Sequence, residues 1–240
     1  MGFLYEPQAI LTNVVMADGH VALLENGDVV GLSNSETSHD AFDFGNVITS
    51  NAEYIDSSWE DDFSMIKNDN TLWVFGNNSH QRLGLPSDVL FVDEPRNITN
   101  DVERISVLNS GVIFQISDGS LWGFGRNSNG ELGQGNKGFY SEPVLICSEV
   151  IDFSSAGDAS LFIGTDGNLY GAGRDLFLES NTLAPVVLMT KVEKIYAGDR
   201  AIIIQNTAGL YWGWGYDTYR FGLGESQIRY EAVEIPASHF

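Results

Sequence analysis

One segment of this chain is written more than once. Leu72-Trp-Val-Phe-Gly76-Asn-Asn-Ser-His-Gln-Arg-Leu-Gly84 aligns with Leu121-Trp-Gly-Phe-Gly125-Arg-Asn-Ser-Asn-Gly-Glu-Leu-Gly133. Weaker copies are Leu169-Tyr-Gly-Ala-Gly173, Leu210-Tyr-Trp-Gly-Trp-Gly215 and, most eroded, Asp28-Val-Val-Gly31. Anchored on Val29, Leu72, Leu121, Leu169 and Leu210, the copies are 43, 49, 48 and 41 residues apart. A unit of that length cannot bury its own apolar faces and must stack on its neighbours. The chain therefore reads as one domain of five units, around 12–50, 51–98, 99–146, 147–188 and 189–235.

Within a unit the pattern is that of short strands. In the third, Val102–Val107 and Val112–Ile116 are β-rich, Ser117-Asp118-Gly119-Ser120 is a turn, and Leu121–Phe124 is a third strand. The turn recurs at Glu25-Asn26-Gly27, Asn68-Asp69-Asn70, Thr165-Asp166-Gly167 and Thr207-Ala208-Gly209. Gly or Asn at its last position allows the positive φ of a tight hairpin. A fourth strand is expected to begin at a proline: Pro95, Pro143 and Pro185. Helical periodicity with caps is absent. Four strands per 41–49 residues predict an all-β propeller of about five four-stranded blades. Of two similar end segments, Tyr5–Ile10 and Tyr230–Ile235, one is expected to close the ring by supplying the outer strand of the last blade; an open arc completed by another chain is the alternative. Trp73, Phe75, Trp122, Phe124, Tyr170, Tyr211, Trp212 and Trp214 are expected to fill the spaces between blades. Gly76, Gly125, Gly173 and Gly215 would end the third strand where backbones crowd.

These units resemble the repeats of the regulator-of-chromosome-condensation family. Residues 121–135 match its Trp-Gly strand followed by N-x-x-G-Q-L-G closely; residues 72–84 and 210–224 match it well. Val192-Glu-Lys-Ile-Tyr-Ala-Gly198 fits the family's V-x-x-I-x-x-G strand, and Val150–Gly157 fits it more loosely. Three departures stand out. Familiar members have seven blades, the first repeat here is eroded after Gly31, and the His-Ser opening of the second strand is missing. The resemblance implies a propeller but no one function; the founding member is an exchange factor that binds a small GTPase.

Charge narrows the classes of partner. The chain of 240 residues carries 33 acidic and 12 basic side chains, a net charge of −21. Residues 1–66 contain no Lys or Arg at all. Phosphate recognition relies on basic side chains, so direct contact with nucleic acid or an anionic membrane is not expected. No apolar run reaches the ~18 residues of a spanning helix. The first residues lack the basic and apolar regions of a signal peptide, and a cytoplasmic location is expected. Cys147 is the single cysteine, which rules out an internal disulfide and a cysteine-based zinc cluster. His20, His39, His80 and His239 show no ligand spacing. Gly133-Gln-Gly135-Asn-Lys-Gly138 spells a dinucleotide fingerprint, but it is followed by strand residues instead of a helix. No cofactor, metal or catalytic constellation is expected.

The propeller reading gives some of the acids a place. Loops between first and second strands carry Asp18 and His20; Trp59, Glu60, Asp61 and Asp62; Asn109-Ser110; Asp158; and Asp199 with Arg200. In a propeller these loops gather on one rim. That rim is expected to be an acidic, non-catalytic binding surface for a basic protein, as in an inhibitor or adaptor, with Trp59 as an aromatic anchor. Plain loop polarity accounts for the same residues, since Asp and Asn favour turns. The alternative function is regulation of, or nucleotide exchange on, a small GTPase.

Overall fold

A computed structural model describes residues 11–33, 42–58, 60–174, 182–198, 201–218 and 226–236. They form five four-stranded antiparallel sheets, each built from strands consecutive in sequence. The first contains β1 (Val14–Asp18), β2 (Val21–Leu24), β3 (Val29–Gly31) and β4 (Val47–Thr49). The second contains β5 (Ala52–Ser57), β6 (Asp62–Lys67), β7 (Leu72–Asn77) and β8 (Phe91–Thr99). The third contains β9 (Val102–Leu108), β10 (Gly111–Ile116), β11 (Leu121–Asn127) and β12 (Gly138–Cys147). The fourth contains β13 (Val150–Ala156), β14 (Asp158–Gly164), β15 (Asn168–Arg174) and β16 (Thr182–Thr190). The fifth contains β17 (Val192–Gly198), β18 (Ala201–Asn206), β19 (Tyr211–Thr218) and β20 (Ser226–Ile235). A short 3-10 turn at Ser79–Gln81 interrupts the β7–β8 connection. The architecture is the expected all-β propeller of five blades.

Register locates the equivalent residues. Met65 faces Trp73, Phe114 faces Trp122, Phe162 faces Tyr170 and Ile204 faces Trp212. The partner of Leu72, Leu121 and Leu169 in the fifth sheet is thus Tyr211, one residue beyond the anchor expected from sequence. The prolines also differ from expectation: Pro95, Pro143 and Pro185 lie inside β8, β12 and β16. Each falls in a bulge of the outermost strand, where three residues go unpaired between Val92 and Arg96, Tyr140 and Val144, and Thr182 and Val186. A bulge on an edge strand has no ladder donor to lose, so proline is tolerated there.

The third-strand glycines are required by crowding. A Cβ on Gly76 would lie 2.1 Å from the Asp61 carbonyl oxygen, and one on Gly173 would lie 2.2 Å from that of Asp158; their φ values are +96° and +105°. The aromatics largely do what the pattern predicts. Phe63, Phe75, Phe114 and Phe124 are buried in one core with Ile55, Leu72 and Leu83, between the first three sheets. Trp214 joins Leu161, Leu169, Ile195 and Ile202 between the fourth and fifth.

Each junction between sheets is also closed by a main-chain bond. The carbonyls at the hairpin turns, Gly27, Asn70, Gly119 and Gly167, accept the N–H of Ala52, Val102, Val150 and Val192, the first residues of the next innermost strand, at 2.9 Å in every case. The inner strands pack in series, β1 on β5, β5 on β9, β9 on β13 and β13 on β17. The C-terminal segment pairs with β19 as the outer strand of its own sheet. The expected closing segment Tyr5–Ile10 lies outside the described residues.

Candidate functional site

The hairpins between first and second strands and the longer connections between third and fourth strands emerge at one end of the sheets. Antiparallel order dictates this: the second-to-third turns all point the other way. Both kinds of connection contribute side chains to a charged cluster between the first and second sheets. His20, following β1, has its Nδ1 2.6 Å from Asp61 Oδ1 in the β5–β6 hairpin. Both side chains remain well exposed, at 48% and 36%. The expected gathering of loop residues is therefore observed for the first two sheets, with His20 and Asp61 in contact across a blade boundary.

Beneath them lies a cation that sequence reading overlooked. Arg82, in the β7–β8 connection, is buried at 4% exposure. Its Nη2 is 2.8 Å from Glu60 Oε2 and its Nη1 is 3.7 Å from Asp62 Oδ1. Its Nε donates to the Ser79 carbonyl at 2.9 Å. Ser58 donates to the same Asp62 oxygen that faces Arg82. Asp62 opens β6 and is itself only 1% exposed, so it stands behind the surface that Glu60 and Asp61 form. Burial pushes its carboxyl up to about 6, with the Ser58 hydroxyl and Arg82 pulling the other way. Asp62 Oδ2 has no hydrogen-bond partner among the described residues.

The next sheet holds the opposite charge at the same place. Glu131 occupies in the β11–β12 connection the position Arg82 has in β7–β8, and it too is fully buried. Its two oxygens accept from the Asn129 backbone N–H at 2.8 Å and from the Asn129 side chain at 3.2 Å. Burial raises its carboxyl. What the two loops share is an organising asparagine. Asn78 Oδ1 accepts from Leu83 N–H and its Nδ2 donates to the Val89 carbonyl; Asn127 Oδ1 accepts from Leu132 N–H and its Nδ2 donates to the Asn136 carbonyl. Each loop then carries its Leu-Gly onto the following sheet: a Cβ on Gly84 would lie 2.6 Å from the Phe124 ring.

Among the other expected rim residues, Asp18 ends β1 and Asp158 begins β14, both half-buried. Trp59, Asp199 and Arg200 lie outside the described residues. Cys147 ends β12 half-buried, and burial raises its thiol.

The innermost strands hold a second polar arrangement, also unforeseen. Asp56 on β5 accepts from Val107 N–H on β9 at 2.9 Å. Ser106 Oγ on β9 donates to Ser155 Oγ on β13 at 2.9 Å, and Ser155 donates to the Val107 carbonyl. Asp152 on β13 accepts from Ile195 N–H on β17 and pairs with Arg104 at 2.9 Å. Side chains thus bond the exposed edges of neighbouring inner strands. Asp56, Ser106 and Ser155, with Tyr54, Ser57 and Asn109, line a cavity of 340 Å³. Burial pushes the Asp56 carboxyl up to about 7, and nearby Asp18 adds to the effect. No group of three or more His, Cys, Asp or Glu side chains suited to a metal occurs among the described residues. Among the described residues no helix is long and apolar enough to cross a membrane.

Five antiparallel sheets joined through their hairpin turns, with a Trp–Gly third strand and an Asn-led Leu-Gly loop, define a repeat-built β-propeller. Residues 118–163 match the family model "Regulator of chromosome condensation (RCC1) repeat", and the chain carries this repeat. Among solved structures, Saccharomyces cerevisiae Prp20p, described with its binding properties to Gsp1p and histones, is 18% identical, with a TM-score of 0.71 over 91% of this chain and 61% of that one. Yeast RCC1 (Prp20) bound to Kap60 is 18% identical, with a TM-score of 0.67 over 91% and 59%. Human WBSCR16 is 14% identical, with a TM-score of 0.68 over 90% and 64%. These likenesses establish the fold, and the chain spans about six tenths of the length of each. No curated protein sequence matches the chain.

Proposed function

We propose that this chain is a non-catalytic protein-binding propeller. It engages a basic protein through the rim where the first and second sheets meet, as an inhibitor or adaptor would. The observation that carries this reading is the paired hairpins of β1–β2 and β5–β6, which bring Asp18, Glu60 and Asp61 together at one end of a rigid scaffold. Connections on rigid sheets are well suited to recognition. Asp62 and Arg82 lie below them and fix the hairpin from beneath. The first 66 residues hold no Lys or Arg, and among the described residues His20 and Arg82 are the basic groups paired with these acids, so the field there favours a cation.

Charge reversal at matched positions tests the reading. Binding of a fluorescent Lys-rich peptide is measured for the parent, for E60K/D61K and for E53K/E103K, which makes the same change in net charge on the inner strands. The rim pair should weaken binding by about tenfold more than the control pair, and added salt should erase the difference. Equal weakening by the two pairs would remove the rim.

A second reading, regulation of a small GTPase, draws on the likeness to Prp20p and on the resemblance of the repeats. It is tested by nucleotide release from a panel of small GTPases. Release at the unassisted rate across the panel would eliminate it.

A further inference from the structure

The cavity between the innermost strands is selective in what it can hold. It measures 340 Å³ and is walled by four successive inner strands, through Asp56 of β5, Ser106 of β9, Ser155 of β13 and Ala197 of β17. Ser58, Asn109 and Gly157, at the hairpins between first and second strands, complete the wall at one end. The mouth is therefore on the rim that carries Asp61. The volume lies near the lower bound of the ~300–1,000 Å³ typical of small-ligand sites, which suits one inserted side chain and not a loop.

Charge sets the sign of the guest. Among the described lining residues Asp56 is the charged side chain, and no Lys, Arg or His joins it. Asp18 stands at the same height on β1: it pairs with Val21 as Asp56 pairs with the equivalent Ser64. The described cations of the inner strands, Arg104 and Lys194, stand two residues further from the mouth, and both are engaged. Arg104 pairs with Asp152 at 2.9 Å, and Lys194 lies 5.2 Å from the centre of the Tyr196 ring.

Hydrogen bonding sets the kind of cation. Each Asp56 oxygen already accepts one main-chain N–H, Oδ1 from Ser57 at 3.0 Å and Oδ2 from Val107 at 2.9 Å. A carboxylate has about four lone-pair sites, so each oxygen keeps one. A guanidinium fork binds best when both oxygens are free to take parallel bonds, whereas an ammonium needs a single lone pair. Its other protons need acceptors, and the serines supply them. Ser106 spends its proton on Ser155 Oγ and accepts from Ser155 N–H; Ser155 spends its own on the Val107 carbonyl. Each hydroxyl oxygen thus retains one lone pair and no proton to offer.

We propose that this cavity receives the ammonium group of one lysine side chain of the basic partner, seated on Asp56, Ser106 and Ser155. The proposal rests on the rim reading: the rim acids draw the partner in, and the cavity distinguishes lysine from arginine.

Titration with n-butylammonium chloride, a lysine side chain without its backbone, tests the cavity apart from the rim. The readout is the NMR shift of the Val107 amide proton, which bonds Asp56, with sodium chloride at equal ionic strength as the blank. A saturable shift is expected, with n-butylguanidinium weaker by about tenfold or more. Asp56→Asn keeps an acceptor for Val107 N–H and should lose the shift. Ser154→Leu fills the cavity, leaves Asp56 charged and should lose it too. No saturable shift in the parent, or an unchanged one in Asp56→Asn, would overturn the proposal. The Lys-rich peptide separates it from the rim reading. Peptide binding that depends on Glu60 and Asp61 but leaves Val107 unmoved overturns the cavity and keeps the rim. A saturable n-butylammonium shift beside peptide binding indifferent to Glu60 and Asp61 keeps the ammonium site and removes the rim.

Discussion

The carboxylate of Asp56 on β5 holds the backbone N–H of Val107 on β9, 2.9 Å away and 51 residues along the chain. This bond spans two blades at their innermost edges, where the sheet ladder offers no partner. Because burial lifts the Asp56 carboxyl to about 7, the folded protein binds its proton more tightly than the unfolded chain does. The sign follows: as pH rises from about 4 to 7 the unfolded state ionises first, and Asp56 subtracts stability over that window. Asp56→Asn should therefore lose less thermal stability than the parent between pH 5 and pH 7.5. Paired melting curves measure it, and parallel curves would show that Asp56 titrates normally.

Arg82 is the only described cation beside buried Asp62 and the partner of Glu60. Removing it strands a buried carboxylate. Arg82→Met should cost about 3–5 kcal/mol. Adding Asp62→Asn should recover part of that loss, because the stranded charge goes with it. Urea denaturation of the single and double variants gives the coupling, and strict additivity would refute it.

Asn127 ties its loop together from inside, accepting from Leu132 and donating to Asn136. Asn127→Ala leaves a buried N–H unsatisfied and should cost about 1–3 kcal/mol. Asn127→Asp keeps the acceptor and should retain the Leu132 bond while losing the one to Asn136. Amide exchange at Leu132 separates the two variants.

Gly173 and Gly167 both adopt positive φ, at +105° and +74°, but only Gly173 has a carbonyl where a Cβ would go. Gly173→Ala should destabilise the protein by about 2–4 kcal/mol, and Gly167→Ala by about 1 kcal/mol. Comparable losses would mean that conformation alone, and not crowding, keeps glycine at both.

The fold was legible because each unit repeats residues whose work is repeated. Trp73 and Trp122 take the same register opposite Met65 and Phe114, and glycine recurs wherever a third strand crosses a neighbouring carbonyl. Where a position does different work in each unit, alignment hides it. Arg82 and Glu131 share a column, both buried, with opposite charge and different partners. Asp56 and Val107 gave no signal, being linked only through the curvature that brings β5 beside β9. The rim was legible in part. Position along the hairpin placed His20 and Asp61 on one rim, though not in contact, whereas Asp62 opens a strand and turns inward. In the fifth unit the apolar residue at Leu210 drew the anchor one place early, and only pairing with Ile204 and Gln205 corrects it to Tyr211.

The bonds from each hairpin turn to the next inner strand use main-chain atoms at both ends. Their donors and acceptors are the same whichever side chains flank them. Ala52 serves as well as Val102, and Asn70 as well as Gly119. Mutation can therefore rewrite the turn and strand residues while the hinge between units keeps its angle. A lineage of such chains can drift to very low identity and still superpose, and its units can be gained, lost or traded without a matching change in their neighbours.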